Sequence, residues 1–186
     1  YYRAECDYSL GDKRNAAKLY DRLVTEFPDS PLLSDALYAL GVAQEELGEF
    51  QAAGATYDRF LNASPNHPLA IEVSMRRGET FFGAGQYQQA AAWFAKAAAR
   101  DDFHLADHSL MRQAACLAQL RRYAAAAELY ASLPVRFPKS SRIEEANLAA
   151  GKCYYLAENW DASRSVLSKI IASRGPSLPE ATHWSA

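Results

Sequence analysis

The chain has 186 residues, with 20 basic against 22 acidic side chains and a formal net charge of −2. That balance excludes a protein that coats nucleic acid, which needs a strong basic excess, and the 49% hydrophobic content excludes bulk disorder. Nine Gly and eight Pro are too few for a chain of many short strands, and no apolar run reaches the roughly 18–20 residues of a membrane helix.

From Tyr1 onward there is no basic-then-apolar leader, and the chain reads as a piece of a longer protein. The first predicted helix pair covers about 1–27, with Ala4 in its first helix and Ala16, Tyr20 and Leu23 in its second. The second pair, near 32–63, repeats this with Gly41, Ala53, Tyr57 and Phe60. The third, near 67–100, has Gly78, Ala90, Phe94 and Ala97. The fourth, near 104–136, has Ala114, Ala126, Tyr130 and Leu133. The fifth, near 141–173, has Gly151, Ser163, Leu167 and Ile170, and a further helix starts near 179 and includes Trp184. Ala16, Ala53, Ala90, Ala126 and Ser163 are separated by 37, 37, 36 and 37 residues.

Spacings of 3, 4 and 7 are helical, and a fixed period of this length marks an array of helix pairs. The small residue in each first helix lets the second helix approach closely. Phe50, Tyr87, Tyr123 and Trp160 stand three before the small residue of the second helix, with Lys13 the exception. Pro28, Pro65, Asp102, Pro138 and Gly175 close the repeats. Ser30-Pro31 and Ser64-Pro65 look like helix-start signals.

The pattern Leu40-Gly41, Phe50, Ala53, Tyr57, Pro65 resembles the tetratricopeptide repeat (TPR) family, and it recurs as Arg77-Gly78, Tyr87, Ala90, Phe94 and as Ala150-Gly151, Trp160. The resemblance implies an all-α fold, a right-handed superhelical solenoid of about five helix–turn–helix units. They fall near 1–31, 32–66, 67–103, 104–140 and 141–178 in one array, with a further unit starting at 179–186. Repeats of 36–37 rather than about 34 residues put extra length in the turns. Phe27-Pro28-Asp29-Ser30-Pro31 and Phe137-Pro138-Lys139-Ser140-Ser141 resemble repeats of bacterial cell-envelope proteins, such as Tol–Pal accessory proteins and outer-membrane assembly lipoproteins. That likeness implies a periplasmic or cell-envelope location.

No residue constellation points to catalysis, a metal or a cofactor. Cys6, Cys116 and Cys153 share one column and read as small buried helix residues, too far apart to pair. His104 and His108 stand four apart on a predicted helix, but the position after the first His is Leu105, not the Glu of a zinc protease. Asp107-His108-Ser109 are consecutive and so point about 100° apart. Gly83-Ala84-Gly85 follows no strand and reads as a turn.

In the TPR family the first helices line a concave groove, and three columns flank the Gly/Ala position. Tyr1, Tyr38, Met75, Met111 and Leu148 form one; Tyr8, Glu45, Phe82, Ala118 and Tyr155 the second; Glu5, Val42, Glu79, Ala115 and Lys152 the third. The expected binding residues are Tyr8, Tyr38, Glu45, Met75, Glu79, Phe82, Met111, Leu148, Lys152 and Tyr155, an aromatic and Met ribbon on an expected solvent face. Residues 1–93 carry 8 basic and 13 acidic side chains, net −5, and residues 94–186 carry 12 and 9, net +3. The basic part of a peptide is then expected over the N-terminal half. The Lys, Asn and Arg set that clamps a C-terminal carboxylate elsewhere in the family is missing from these columns.

Two readings follow. The chain is a non-catalytic scaffold that binds a protein or peptide in the groove, without cofactor, nucleic acid or direct membrane insertion. Alternatively it is a structural assembly unit packing on the rest of its own chain, or self-associating through the ends of the array, with the ribbon as packing.

Overall fold

The computed structural model describes residues 1–173 and 176–185; the expected breaker Gly175 lies outside them. Eleven helices and no strands occur among the described residues. In chain order they are α1 (Tyr2–Ser9), α2 (Lys13–Glu26), α3 (Leu33–Glu46), α4 (Phe50–Ala63), α5 (Ala70–Gly83), α6 (Tyr87–Ala98), α7 (Ala106–Gln119), α8 (Tyr123–Arg136), α9 (Ile143–Leu156), α10 (Trp160–Ser173) and α11 (Leu178–Ser185). None is long and apolar enough to cross a membrane. The chain divides into two compact bodies, Tyr1–Trp93 and Phe94–Ala186, and the division falls inside α6.

The first helix of every pair stops in the same way. Gly11, Gly48, Gly85, Arg121 and Glu158 all have positive φ, between 57° and 88°. The next residue donates its N–H five residues back: Glu49 to the Gln44 carbonyl at 2.9 Å, Arg122 to Leu117 at 2.9 Å, Asn159 to Tyr154 at 2.9 Å. This is the left-handed cap that ties off a helix's last carbonyls. The second helix then starts at once, and the residue opening it is Lys13, Phe50, Tyr87, Tyr123 or Trp160. Asp12 and Asn159 cap their helices with side-chain oxygens, accepting from Asn15 N–H at 3.1 Å and Ala162 N–H at 3.3 Å.

Links between repeats are longer than the Ser-Pro pairs suggest. Helix α3 starts at Leu33 rather than directly after Ser30, because successive turns, Ser30 N–H to Phe27 and Leu33 N–H to Ser30, delay it. Ser64 ends α4 instead of starting α5, which begins only at Ala70.

In the first body α1 packs on α2, α2 on α3, α3 on α4 and α4 on α5. The core holds Ala4, Ala16, Tyr20, Leu37, Leu40, Ala53, Tyr57, Phe60 and Val73. Gly41 shows why the column is small: a Cβ there would sit 2.3 Å from the Tyr57 ring. In the second body α7 packs on α8, α8 on α9, α9 on α10 and α10 on α11. A Cβ on Gly151 would sit 2.4 Å from Leu167. No repeat closes its own apolar face, so stacking on neighbours makes each core.

Candidate functional site

On the face of the first body formed by α1, α3 and α5, tyrosine hydroxyls hold carboxylates in place. Tyr8 donates to Glu46 at 2.7 Å, and Lys13 meets the same carboxylate at 3.0 Å. Tyr38 donates to Glu72 at 2.7 Å, Tyr57 to Glu45 at 2.8 Å, and Tyr20 to Glu5. Arg76 joins the middle of this set. Its guanidinium lies 3.3 Å from Glu72, 3.6 Å from Glu45 and 5.5 Å from the centre of the Tyr38 ring.

These contacts come from helix periodicity. Glu45 stands four after Gly41, so it lies one turn further along the face that Gly41 opens to α4, within reach of Tyr57. Glu72 and Arg76 are themselves four apart on α5. Burial is the largest influence on Glu45 and pushes its carboxyl above the usual range, against the Tyr57 hydroxyl and Arg76, which pull it down. Glu46 is shifted the other way: burial would raise it, but the Tyr8 hydroxyl and Lys13 together hold it low. Burial and Glu46 push the Tyr8 hydroxyl up to about 12.

A second clamp lies on α4 and α5. Arg77 forms a two-pronged pair with Asp58 at 2.9 and 3.0 Å and stacks 3.8 Å from the centre of the Phe81 ring. Gly54 makes room for it, since a Cβ there would sit 2.5 Å from the guanidinium.

The expected groove residues divide by burial. Tyr8, Tyr38, Glu45, Glu79, Phe82 and Lys152 are half-buried, and Tyr155 is 39% exposed. Met75, Met111 and Leu148 are only 5, 7 and 8% exposed. Their place is therefore in the packing and not on the solvent face expected of the ribbon. They stand three before the small column, and Met111 is part of the core cluster shared by α7, α8 and α9. Lys152 pairs with Glu180 of α11.

In the second body Tyr155, Trp160 and Trp184 come together. The Tyr155 ring centre lies 4.8 Å from that of Trp160 and 5.3 Å from that of Trp184, edge to face in both cases.

Arg76 escaped the sequence reading because its column holds Tyr2, Ala39, Arg112 and Ala149 in the other repeats, with no common chemistry. The repeat pattern marks Tyr20 and Tyr57 as packing rings; their hydroxyls find partners only through the register of adjacent helices.

Cys116 and Cys153 are buried, but Cys6 is exposed on α1, in a helix that buries only Ala4. His104 is not on a helix; it lies in the turn before α7, beside the Phe103 ring at 5.1 Å, so the His104/His108 spacing is not a helical one. Among the described residues no group of three His, Cys, Asp or Glu side chains could hold a metal.

The tetratricopeptide repeat profile matches residues 3–68, 66–104 and 75–141. The chain belongs to the tetratricopeptide repeat family. A TPR protein from Parabacteroides merdae superposes with a TM-score of 0.77 at 20% identity, covering 97% of this chain and 68% of that one. YrrB, described as a TPR protein with an unusual peptide-binding site, gives 0.74 at 19% identity over 97% and 87%. A putative kinesin light chain with TPR-like repeats from Podosopora anserina gives 0.72 at 14% identity over 92% and 91%. At these identities the likeness is one of fold. No curated protein matches the chain. The TPR fold is in general that of a non-catalytic protein–protein interaction scaffold.

Proposed function

We propose that this TPR chain is a scaffold that binds a protein or peptide segment along its first-helix face, in the groove that such helices line in the family. The carrying observation is the hydroxyl-held face of the first body. Tyr8, Tyr38, Glu45 and Arg76 remain partly accessible while their partners lock their orientation, which lowers the entropy cost of binding. YrrB supports the reading as a TPR protein of the same fold with a peptide site.

The basic part of the bound segment belongs over the first body, whose side chains sum to −5. Arg76 and Lys13 already neutralise part of the charge on Glu45, Glu72 and Glu46, so the electrostatic pull is smaller than a count of carboxylates suggests. The Phe-Pro turns that resemble bacterial envelope repeats make the periplasm or cell envelope the proposed setting.

The second reading is a structural assembly unit. It is favoured by the exposure of Tyr2, Leu10, Leu156 and Trp160, which would be covered by further chain or by another copy. The discriminating experiment is affinity capture from the source organism's lysate with wild type and with Tyr38→Ala/Phe82→Ala/Tyr155→Ala, with circular dichroism confirming the fold. A partner lost by the folded variant supports the scaffold. Capture indifferent to these residues, together with concentration-dependent sedimentation, moves the conclusion to assembly.

A further inference from the structure

The second body contains an open recess of ≈ 240 Å³ where the end of α9, the start of α10 and α11 meet, lined by Tyr155, Trp160, Trp184, Arg164, Ser163 and Ser185. Trp160 is 49% exposed and Tyr155 39%, unusual for rings that could have packed inward. Both indoles stand nearly perpendicular to the Tyr155 ring, at 77° and 80°. The recess thus has aromatic sides rather than aliphatic ones.

Its one charged group is Arg164. Ser163 spends its hydroxyl proton on the Gly151 carbonyl at 2.9 Å, and Ser185 spends its own on Thr182 at 3.0 Å. Both hydroxyls keep acceptor lone pairs, Tyr155 brings a hydroxyl that donates or accepts, and the two indoles and the Arg164 guanidinium bring donors only. A ligand must therefore bring acceptors, above all an anionic one for Arg164. Arg164 also disfavours a cation, although aromatic boxes otherwise suit one. The volume matches the side chains of one or two residues.

We propose that this recess takes an extended, proline-containing segment of a partner protein with an acidic residue beside the proline. Proline rings stack on aromatic faces. A polyproline helix leaves its carbonyls unbonded and so free for the indole donors, and it arrives nearly rigid. The acidic neighbour matches Arg164, within a body of net charge +3.

The test is calorimetric titration of the whole 186-residue chain with an acetylated, amidated Glu-Pro-Pro-Pro-Pro-Glu peptide, with indole emission as a second readout. The expected result is saturable binding, lost on Trp160→Ala and weakened about tenfold or more by Arg164→Glu. Both residues are exposed, and circular dichroism checks that each variant folds. No saturable binding, equal binding of an alanine-for-proline peptide, stronger binding of a trimethyl-lysine peptide, or indifference to Arg164→Glu would each overturn the proposal. It rests on the scaffold reading only through the shared Tyr155. If Trp160→Ala still captures a lysate partner that the triple variant loses, and no proline peptide binds, the recess fails while the scaffold stands.

Discussion

At the residue scale the turn inside each repeat sets a demand that the sequence meets only three times in five. Gly11, Gly48 and Gly85 occupy the left-handed position without penalty, while Arg121 and Glu158 hold it at φ 57° and 59° with a Cβ in the way. Arg121→Gly and Glu158→Gly are each expected to raise stability by about 1 kcal/mol in a denaturant titration; an unchanged midpoint would mean that these turns relax at no cost. Gly41 is the opposite case. Gly41→Ala drives a methyl group into the Tyr57 ring and is expected to cost about 1–3 kcal/mol. The closeness of this approach was legible in the sequence, because a small residue recurs at the column. The strain at Arg121 and Glu158 was not, because neither residue type announces a positive φ.

At the element scale, each second helix is held by one large inward side chain, an aromatic in four of them and Leu167 in α10, and Tyr57 adds a hydroxyl bond to α3. Tyr57→Ala is expected to cost about 3–5 kcal/mol and Tyr57→Phe about 1 kcal/mol, read from equilibrium unfolding. Equal losses would mean that the bond to Glu45, not the ring, carries the contact. Glu45 itself titrates against the fold. Its folded carboxyl binds a proton more tightly than the unfolded one, so its contribution is fully present below the unfolded value near 4.5 and is lost as pH rises through the higher folded value. Glu45→Gln is therefore expected to show a smaller fall in stability than wild type across that window, in melts taken from pH 4 to pH 7. A steeper fall would reverse the assigned direction. The helix pairs themselves were legible from the 37-residue recurrence; where α3 and α5 begin was not, since the linking turns carry little periodic signal.

At the scale of the whole molecule, charge is divided between the bodies, −5 for Tyr1–Trp93 and +3 for Phe94–Ala186. A basic peptide on the face of Tyr8, Tyr38 and Glu45 is expected to associate more slowly as salt rises from about 0.01 M to 0.15 M, where the screening length shortens from about 30 to 8 Å. Stopped-flow rates indifferent to salt would remove the electrostatic part of the scaffold reading. Peptides with acidic ends bound at Arg164 should show the same salt trend at the other body, so the two sites are separable by the sign of the ligand.

The amino-acid sequence alone determined the repeat, its period, the close helix approaches at Gly41 and Gly151, and the columns that become the core. These are local and periodic properties, and burial of an amphipathic stripe leaves few other ways to fold them. Only the tertiary structure decided which groove-column residues remain accessible. Met75, Met111 and Leu148 are covered while Tyr38 and Tyr155 are not, because accessibility depends on what the neighbouring helices bring. It also decided that Tyr57 meets Glu45, that Arg76 joins Glu72 to Glu45, and that Tyr155, Trp160 and Trp184 share one recess. Such meetings depend on helix register across repeats, where a shift of one residue turns a side chain by about 100°.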